Sequence, residues 1–213
     1  MRNQLIWKHL KKLLEFNIHL NKINILKLSS QELLYYQSKV AYYRDEQSYK
    51  RLFLYFHPIL YRFSYNILQD KSISEEIVSD TMLKIWEMGS KLSQIQFLKI
   101  YLITSVKNAC FTYLASKKHK QSLSESIDND DVQMCNGENP EQLYIYSEVT
   151  QRVNKVIASL PLKCQLVFRL IKEEGLSYKE VSKVLEISQN TIETHMRIAL
   201  RKIRLDLKHF LHK

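Results

Sequence analysis

Gln189, Asn190, Glu193, Thr194, Arg197 and Arg201 recur at helical spacing near the end of the chain, interleaved with apolar residues. Their side chains suit the reading of DNA. In a major groove Arg pairs bidentately with guanine, Asn with adenine, and Glu accepts from the cytosine amino group. Asn190, Glu193, Thr194 and Arg197 are the candidates for base edges. Ser188, Gln189, Arg201, Lys202 and Arg204 are better suited to phosphates, which position a helix without specifying sequence. His195 lies on the flank of the same helix, where contact with DNA or with the protein body is equally open.

Two short helices joined by a tight turn must hold these groups. At the first, Ser177 and Glu180 form a capping box, with Leu176 and Val181 as a hydrophobic staple. At the second, Ser188 is the N-cap and Ile187 staples to Ile192. Val181, Val184 and Leu185 of the first helix face inward, as do Ile192, Met196, Ala199, Leu200 and Ile203 of the second. This arrangement is a helix-turn-helix whose second helix enters the groove.

Three glycines and three prolines among 213 residues, with no recurring strand punctuation, predict an all-α protein of two small helical domains. Its net charge of +10 is unevenly spread: +5 over residues 1–30, +4 over 31–118, −6 over 119–149 and +7 over 150–213. Basic faces attract phosphate and release counterions on binding. Cys110, Cys135 and Cys164 are odd in number and far apart, which predicts free thiols in a reducing compartment rather than disulfides or a zinc site. His209 and His212 read as a tail rather than a metal site. The apolar stretch from Leu52 to Leu68 is interrupted by His57, Pro58 and Arg62, short of the roughly 20 residues a membrane span needs. No signal peptide is evident, and the expected location is the cytoplasm.

Residues 1–29 form an N-terminal extension that reads as a weakly ordered leader, with an amphipathic docking helix as the other reading. From Ser30 helical periodicity runs through Leu33–Tyr43 and Tyr49–Tyr55, with Pro58 breaking or kinking the path. Further helices are predicted over Ile59–Leu68, from Ser74-Glu75-Glu76 to Trp86, and from Phe97 to Lys118 after a loop at Ser90–Gln96. Residues 119–142 are acidic, with turn signals at Asn136-Gly137 and Asn139-Pro140, and read as a solvated linker. Helices over Val149–Ala158 and Leu162–Glu174, the latter ended by Gly175, precede the helix-turn-helix.

Taken together, residues 35–210 resemble the two-domain extracytoplasmic-function group of bacterial sigma factors. Ser74-Glu75-Glu76-Ile77-Val78-Ser79-Asp80-Thr81-Met82-Leu83-Lys84-Ile85-Trp86 is similar to the family's Ala-Glu-Asp-Ile-Val-Gln, an acid, Val-Phe-Leu-Lys-Leu-Trp. Phe97–Asn108 and Thr112-Tyr113-Leu114-Ala115 resemble the stretches with Trp-Leu, Arg-Asn and Asp-Tyr-Leu-Arg. Ser159-Leu160-Pro161, Glu174–Glu180 and Ser188-x-x-Thr191-Ile192-Glu193 match the second module, and Glu and His after Thr-Ile resemble bacteroidete members. Departures are Ser79 for Gln, Tyr101 for Trp, Ser105 for an apolar residue, Thr112 for Asp, Ala115 for Arg, and Glu186 at a turn position usually held by Gly.

The resemblance implies that residues 30–118 bind core RNA polymerase and open promoter DNA, while residues 143–213 recognise a minus-thirty-five element. Within the first domain it implies polymerase contacts from Glu75, Glu76, Ser79, Asp80 and Lys84. Ile77, Val78, Leu83, Ile85 and Trp86 are the predicted buried side of that helix. Minus-ten contacts would come from Lys99, Tyr101, Thr104, Lys107, Asn108, Tyr113, Lys117 and Lys118, and the Gly89–Ile95 loop resembles the element that captures an extruded base. Thr191 joins the DNA-facing set of the second domain. The implied partners are core polymerase, promoter DNA and a membrane-anchored anti-sigma factor, with no cofactor, metal or small-molecule substrate. The rival reading is a stand-alone helix-turn-helix regulator of the response-regulator type, which needs an upstream receiver or ligand-binding domain; residues 31–118 offer no alternating strands, acidic phosphorylation pocket or Gly-rich turns. An enzyme would need a phosphate loop, a His-Glu-x-x-His or an acidic metal cluster, none of which occurs in the sequence.

Overall fold

The computed structural model describes residues 28–123 and 144–211, the side chains of 28–117 and 151–208 among them. Most of the extension, the acidic linker from residue 124 to 143, Cys135, and the side chains of His209 and His212 lie outside the described residues. Those described are helical, without a strand, and fall into two compact units.

The first unit holds four helices: α1 (Ser30–Tyr43), α2 (Glu46–Leu68), α3 (Lys71–Glu87) and α4 (Leu98–Leu123), with a 3₁₀ segment, Gly89–Gln94, between the last two. Ser29 and Glu32 cap α1 reciprocally, the Ser29 hydroxyl accepting from the Glu32 amide at 3.2 Å and the Glu32 carboxylate from the Ser29 amide at 2.8 Å. Donation from the Ser29 amide, and secondarily from its hydroxyl, holds the Glu32 carboxyl below its usual value. Asp45 and Asp70 cap α2 and α3 by accepting from the amides of Ser48 and Ile73, at 2.8 and 3.0 Å.

α2 is the axis of this unit and packs against α1, α3 and α4. Leu52, Phe56 and Leu60 on α2, Val78, Met82 and Ile85 on α3, and Leu102, Ile103 and Val106 on α4 have no exposed surface. The core also holds a few polar groups. Its Ser64 hydroxyl lies 3.2 Å from the Cys110 thiol, and the buried Thr81 hydroxyl donates to the Ile77 carbonyl at 2.8 Å.

Five expectations need correction here. Pro58 lies inside α2, which continues through it. Proline loses its own amide hydrogen bond and its ring crowds the carbonyl four residues back, and packing on three neighbours outweighs that cost. α3 starts at Lys71 rather than Ser74, because Asp70 is the cap; Ser74 is buried, and its hydroxyl donates to the Asp70 carbonyl. On the same helix Leu83 is half-exposed, while Met82 takes the buried place predicted for it. The stretch 90–96 is largely 3₁₀ helix, anchored by the fully buried Leu92, and α4 runs on to Leu123 into the expected linker.

The second unit holds α5 (Tyr144–Ala158), α6 (Leu162–Lys172), α7 (Tyr178–Leu185) and α8 (Gln189–Leu211). α8 packs on all three others, burying Ile192, Met196, Ala199, Ile203 and Leu207 against Val153, Ile157, Phe168, Val181 and Val184. Arg152 grips Asp206 with two hydrogen bonds, 2.6 Å from Nε and 3.2 Å from Nη2, tying α5 to the far end of α8. Pro161 stands at the N-cap of α6, and Gly175 follows that helix at φ 70°.

Glu186 ends α7 with φ 55° and ψ 42°, the left-handed region that its Cβ resists. Its side chain is exposed. Glu186→Gly is therefore expected to stabilise the protein by about 1 kcal/mol. A denaturant titration followed through the second unit measures this.

Candidate nucleic-acid interface

The turn between α7 and α8 is closed from both sides. The Ser182 hydroxyl donates to the Ile187 carbonyl at 2.6 Å, and the Ser177–Glu180 box starts α7, the Ser177 amide reaching the Glu180 carboxylate at 2.7 Å. Ser188 accepts from the Thr191 amide at 3.1 Å, and the two hydroxyls lie 2.8 Å apart. These polar groups, predicted to face DNA, therefore serve first as the cap. Gln189, Asn190, Glu193, Thr194, Arg197 and Arg201 are all exposed along one stripe of α8. Thr194 donates its hydroxyl to the Asn190 carbonyl at 3.0 Å, which leaves an oxygen lone pair and a methyl group facing outward.

Two residues of this helix are turned to other work. His195 is half-buried, its Nδ1 3.0 Å from the Cys164 sulfur on α6, so that ring nitrogen faces the protein body. The Lys202 ammonium donates to the Ser159 carbonyl at 2.7 Å, fastening α8 to the end of α5. Ile198 and Leu205, at 43% and 52% exposure, put apolar surface beside the arginines; the sequence pattern gave no reason to single them out.

In the first unit α3 presents Glu75, Glu76, Ser79, Asp80 and Lys84 to solvent, with Leu83 among them. Glu75 lies 2.8 Å from His57 Nε2 of α2, so part of its charge is committed within the unit. Glu76, Asp80 and Lys84 line one wall of an open groove of about 520 Å³, and Asn108, Thr112 and Tyr113 of α4 line the other. Residues expected in two separate sets thus meet around one depression.

The phase of α4 sorts the remaining candidates. Leu98, Leu102, Ile103, Val106 and Cys110 form the inner face. Phe97, Tyr101, Thr104, Asn108 and Phe111, spaced by four and three, form an outer stripe. Phe97 is 62% exposed, Tyr101 38% and Phe111 45%. The Tyr101 hydroxyl reaches Met88 Sδ at 3.8 Å, a weak contact that leaves the ring on the surface. Lys99 and Tyr113 are half-buried, Lys117 is exposed, and the Lys118 side chain lies outside the described residues.

Lys107 does not join that stripe. It is only 7% exposed, because it follows the fully buried Ile103 by four residues and precedes the equally buried Cys110 by three. Phe97 and Phe111, conversely, escaped notice because an apolar residue in an apolar helix reads as core until the neighbouring helices fix which side is inside.

Residues 52–120 match the family Sigma-70 region 2, and residues 150–203 match Sigma-70, region 4. The chain is 34% identical over 70 residues to RNA polymerase sigma factor FliA of Escherichia coli (strain K12), covering 33% of this chain and 29% of that protein. FliA of Salmonella typhimurium (strain LT2) gives the same identity over the same length. The chain thus spans less than a third of the length of these curated relatives. Among solved structures, the sigma factor RpoE in complex with the anti-sigma factor NepR from Bartonella quintana is similar with a TM-score of 0.59 at 19% identity, over 76% of this chain and 98% of that one. At that identity the likeness is one of fold.

Cys110 and Cys164 are free and buried, and burial pushes both thiols above their ordinary value; a hydrogen bond with Ser64 opposes this at Cys110. The native protein therefore keeps these protons at pH values where the unfolded chain has lost them. Their contribution to stability is constant below about pH 9, the ordinary thiol value, and falls above it. At neutral pH both are expected to alkylate at least tenfold more slowly (roughly) in the native protein than in denaturant. Peptide mass spectrometry after timed alkylation tests this.

Proposed function

We propose, for a chain that belongs to the sigma-70 family by both of its matched regions, the function of an RNA polymerase sigma factor. It binds core polymerase, directs it to promoters and catalyses no reaction of its own. The observation that carries this reading is the presence of region 2 and region 4 on one chain, in that order, each with outward polar groups of the right chemistry. Within the family, the two-module layout and the Thr191-Ile192-Glu193 sequence followed by His195 support an extracytoplasmic-function factor of the bacteroidete type.

The work divides between the proposed domains, residues 30–118 and 143–213, joined by the acidic segment 119–142. Glu75, Glu76, Ser79, Asp80 and Lys84 on α3 dock on the polymerase. Charges at such an interface set orientation and encounter rate more than final affinity. Asn190, Glu193 and Arg197 read base edges of the minus-thirty-five element, while Gln189 and Arg201 hold phosphates. Lys202 contributes positive potential at the edge of this face rather than a committed contact.

Melting draws on α4 and the 3₁₀ segment before it. Extruding a base costs a few kcal/mol, and a protein without a chemical energy source offsets this only by holding the opened strand. Stacking returns about 1–3 kcal/mol per base. Tyr101 from the original set, together with Phe97 and Phe111, supplies exposed rings; Asn108 and Lys117 supply polar and cationic reach. Lys107 belongs to the interior in this reading.

A site of action in the cytoplasm follows from the polymerase partner; no helix among the described residues is long and apolar enough to cross a membrane. Inhibition by an anti-sigma factor, membrane-anchored in this proposal, is supported by the NepR complex of the similar Bartonella protein.

Transcription by purified core polymerase from a promoter library, with and without the chain, tests the whole reading. Arg197→Ala is expected to relax base preference at one minus-thirty-five position by about 1–3 kcal/mol, and an unchanged preference removes its base-reading role. Asp80→Lys is expected to weaken core binding on the order of tenfold, chiefly through slower association, while promoter preference is retained. Association kinetics on immobilised core polymerase give that number.

A further inference from the structure

The 3₁₀ segment that precedes α4 hangs on α1. Gln37, only 3% exposed, donates through its side-chain nitrogen to the Leu92 carbonyl at 2.7 Å and the Ile95 carbonyl at 2.8 Å. Both partners are pure acceptors, so the orientation of the amide is dictated by chemistry. Tyr42 donates to the Ser93 hydroxyl at 2.9 Å, which in turn donates to the Ser90 carbonyl at 2.7 Å. The Arg44 guanidinium donates to the Trp86 carbonyl and sits 5.5 Å over the Trp86 ring, securing the end of α3 from which the segment departs.

The Gln37 and Tyr42 supports engage the segment's backbone or its small hydroxyls. Ser90, Lys91, Gln94 and Gln96 remain exposed, and Phe97 follows them directly with its ring 62% exposed. A rigid backbone, an aromatic face and exposed amide groups are what reading a single unstacked base requires. The ring binds any base, and amide donors and acceptors held at fixed positions discriminate among them.

We propose that Gln37 is a positioning residue for base selection: by clamping the Leu92 and Ile95 carbonyls it fixes the 89–96 segment that reads an extruded base of the minus-ten element. Gln37 itself touches no DNA. Its effect passes through the placement of Gln94, Gln96 and Phe97. The proposal rests on the sigma-factor reading and deepens it, since it assigns minus-ten choice to a residue outside both matched regions.

The test uses the full chain with core polymerase on promoters in which each minus-ten position is varied in turn. Gln37→Met keeps the length of the side chain and removes both donors. The ratio between best and worst base at one or two adjacent positions is expected to fall about tenfold, the size of one lost polar discrimination. Preference at the minus-thirty-five element and core affinity are expected to stay as in the wild type. An unchanged minus-ten profile, or an equal loss at every position, overturns the positioning role.

Tyr42→Phe covers the case in which Gln37→Met does not fold. It removes one hydroxyl from an exposed contact and is expected to shift the same positions by a smaller factor; no shift there also overturns the proposal. Wild-type protein that fails to initiate, or shows no minus-ten preference at all, defeats the sigma reading itself. That result is distinct from a variant profile identical to an active, selective wild type.

Discussion

Among the described residues, α1, α2 and α3, and likewise α7 and α8, follow one another almost without loops, and the rest of the architecture depends on how those junctions are made. α1 ends on Arg44 at φ 52° and Asp45 at once caps α2; α2 ends on Gln69 at φ 55° and Asp70 at once caps α3. α7 ends on Glu186 at φ 55°, two residues before the Ser188 cap. With three glycines in the whole chain, non-glycine residues take the left-handed position at each of these turns, at a cost of roughly 1–2 kcal/mol each. A left-handed residue followed closely by a capping side chain reverses the path while spending few residues. The direction of each following helix is thereby set by hydrogen bonds rather than by packing alone. At Arg44 the same turn leaves the guanidinium where it meets the carbonyls of Trp86 and Glu87 at the end of α3.

Junctions of this kind explain what was legible in the sequence. The Ser177–Glu180 box, the Ser188 cap and the outward stripe of α8 depend on residues within four positions of one another, and local rules recovered them. The start of α3 was misplaced because two local solutions competed. Ser74-Glu75-Glu76 resembles a helix start, but Asp70 offers its carboxylate to the Ile73 amide three residues on, and the chain uses that option. Pro58 misled in the opposite sense. A local breaker was overruled by a long helix packed on three sides.

The inner and outer faces of α3 and α4 were harder to separate, since apolar residues occur all round them. Leu83, expected inside, is half-exposed while Met82 is buried, and Lys107, expected outside, is buried while Phe97 is exposed. Each difference is a rotation about the helix axis, decided by where α2 runs. Nothing within α3 or α4 encodes that direction. The two long-range hydrogen bonds of Gln37 were illegible for the same reason. A glutamine in a helix is ordinarily solvent-facing, and its two acceptors lie 55 and 58 positions further along the chain.

Under the proposed function the two units present unlike surfaces to DNA. α8 offers guanidinium and amide groups on a rigid helix, matched to a duplex whose base edges already lie at fixed spacing. Its selectivity therefore needs only that the helix be held, which the Arg152–Asp206 pair and the Lys202–Ser159 bond help to do. An unstacked base has no duplex to fix its position, and stacking on Phe97 or Tyr101 holds it without regard to identity. Rigidity absent from the nucleic acid must then be supplied by the protein. It comes from a 3₁₀ segment pinned through its carbonyls, whose geometry is poor in isolation. Loosening those pins leaves the stacking energy nearly intact while spreading the positions of the amide groups. The proposal thus assigns affinity for opened DNA and discrimination between bases to different residues, even though they act at the same few nucleotides.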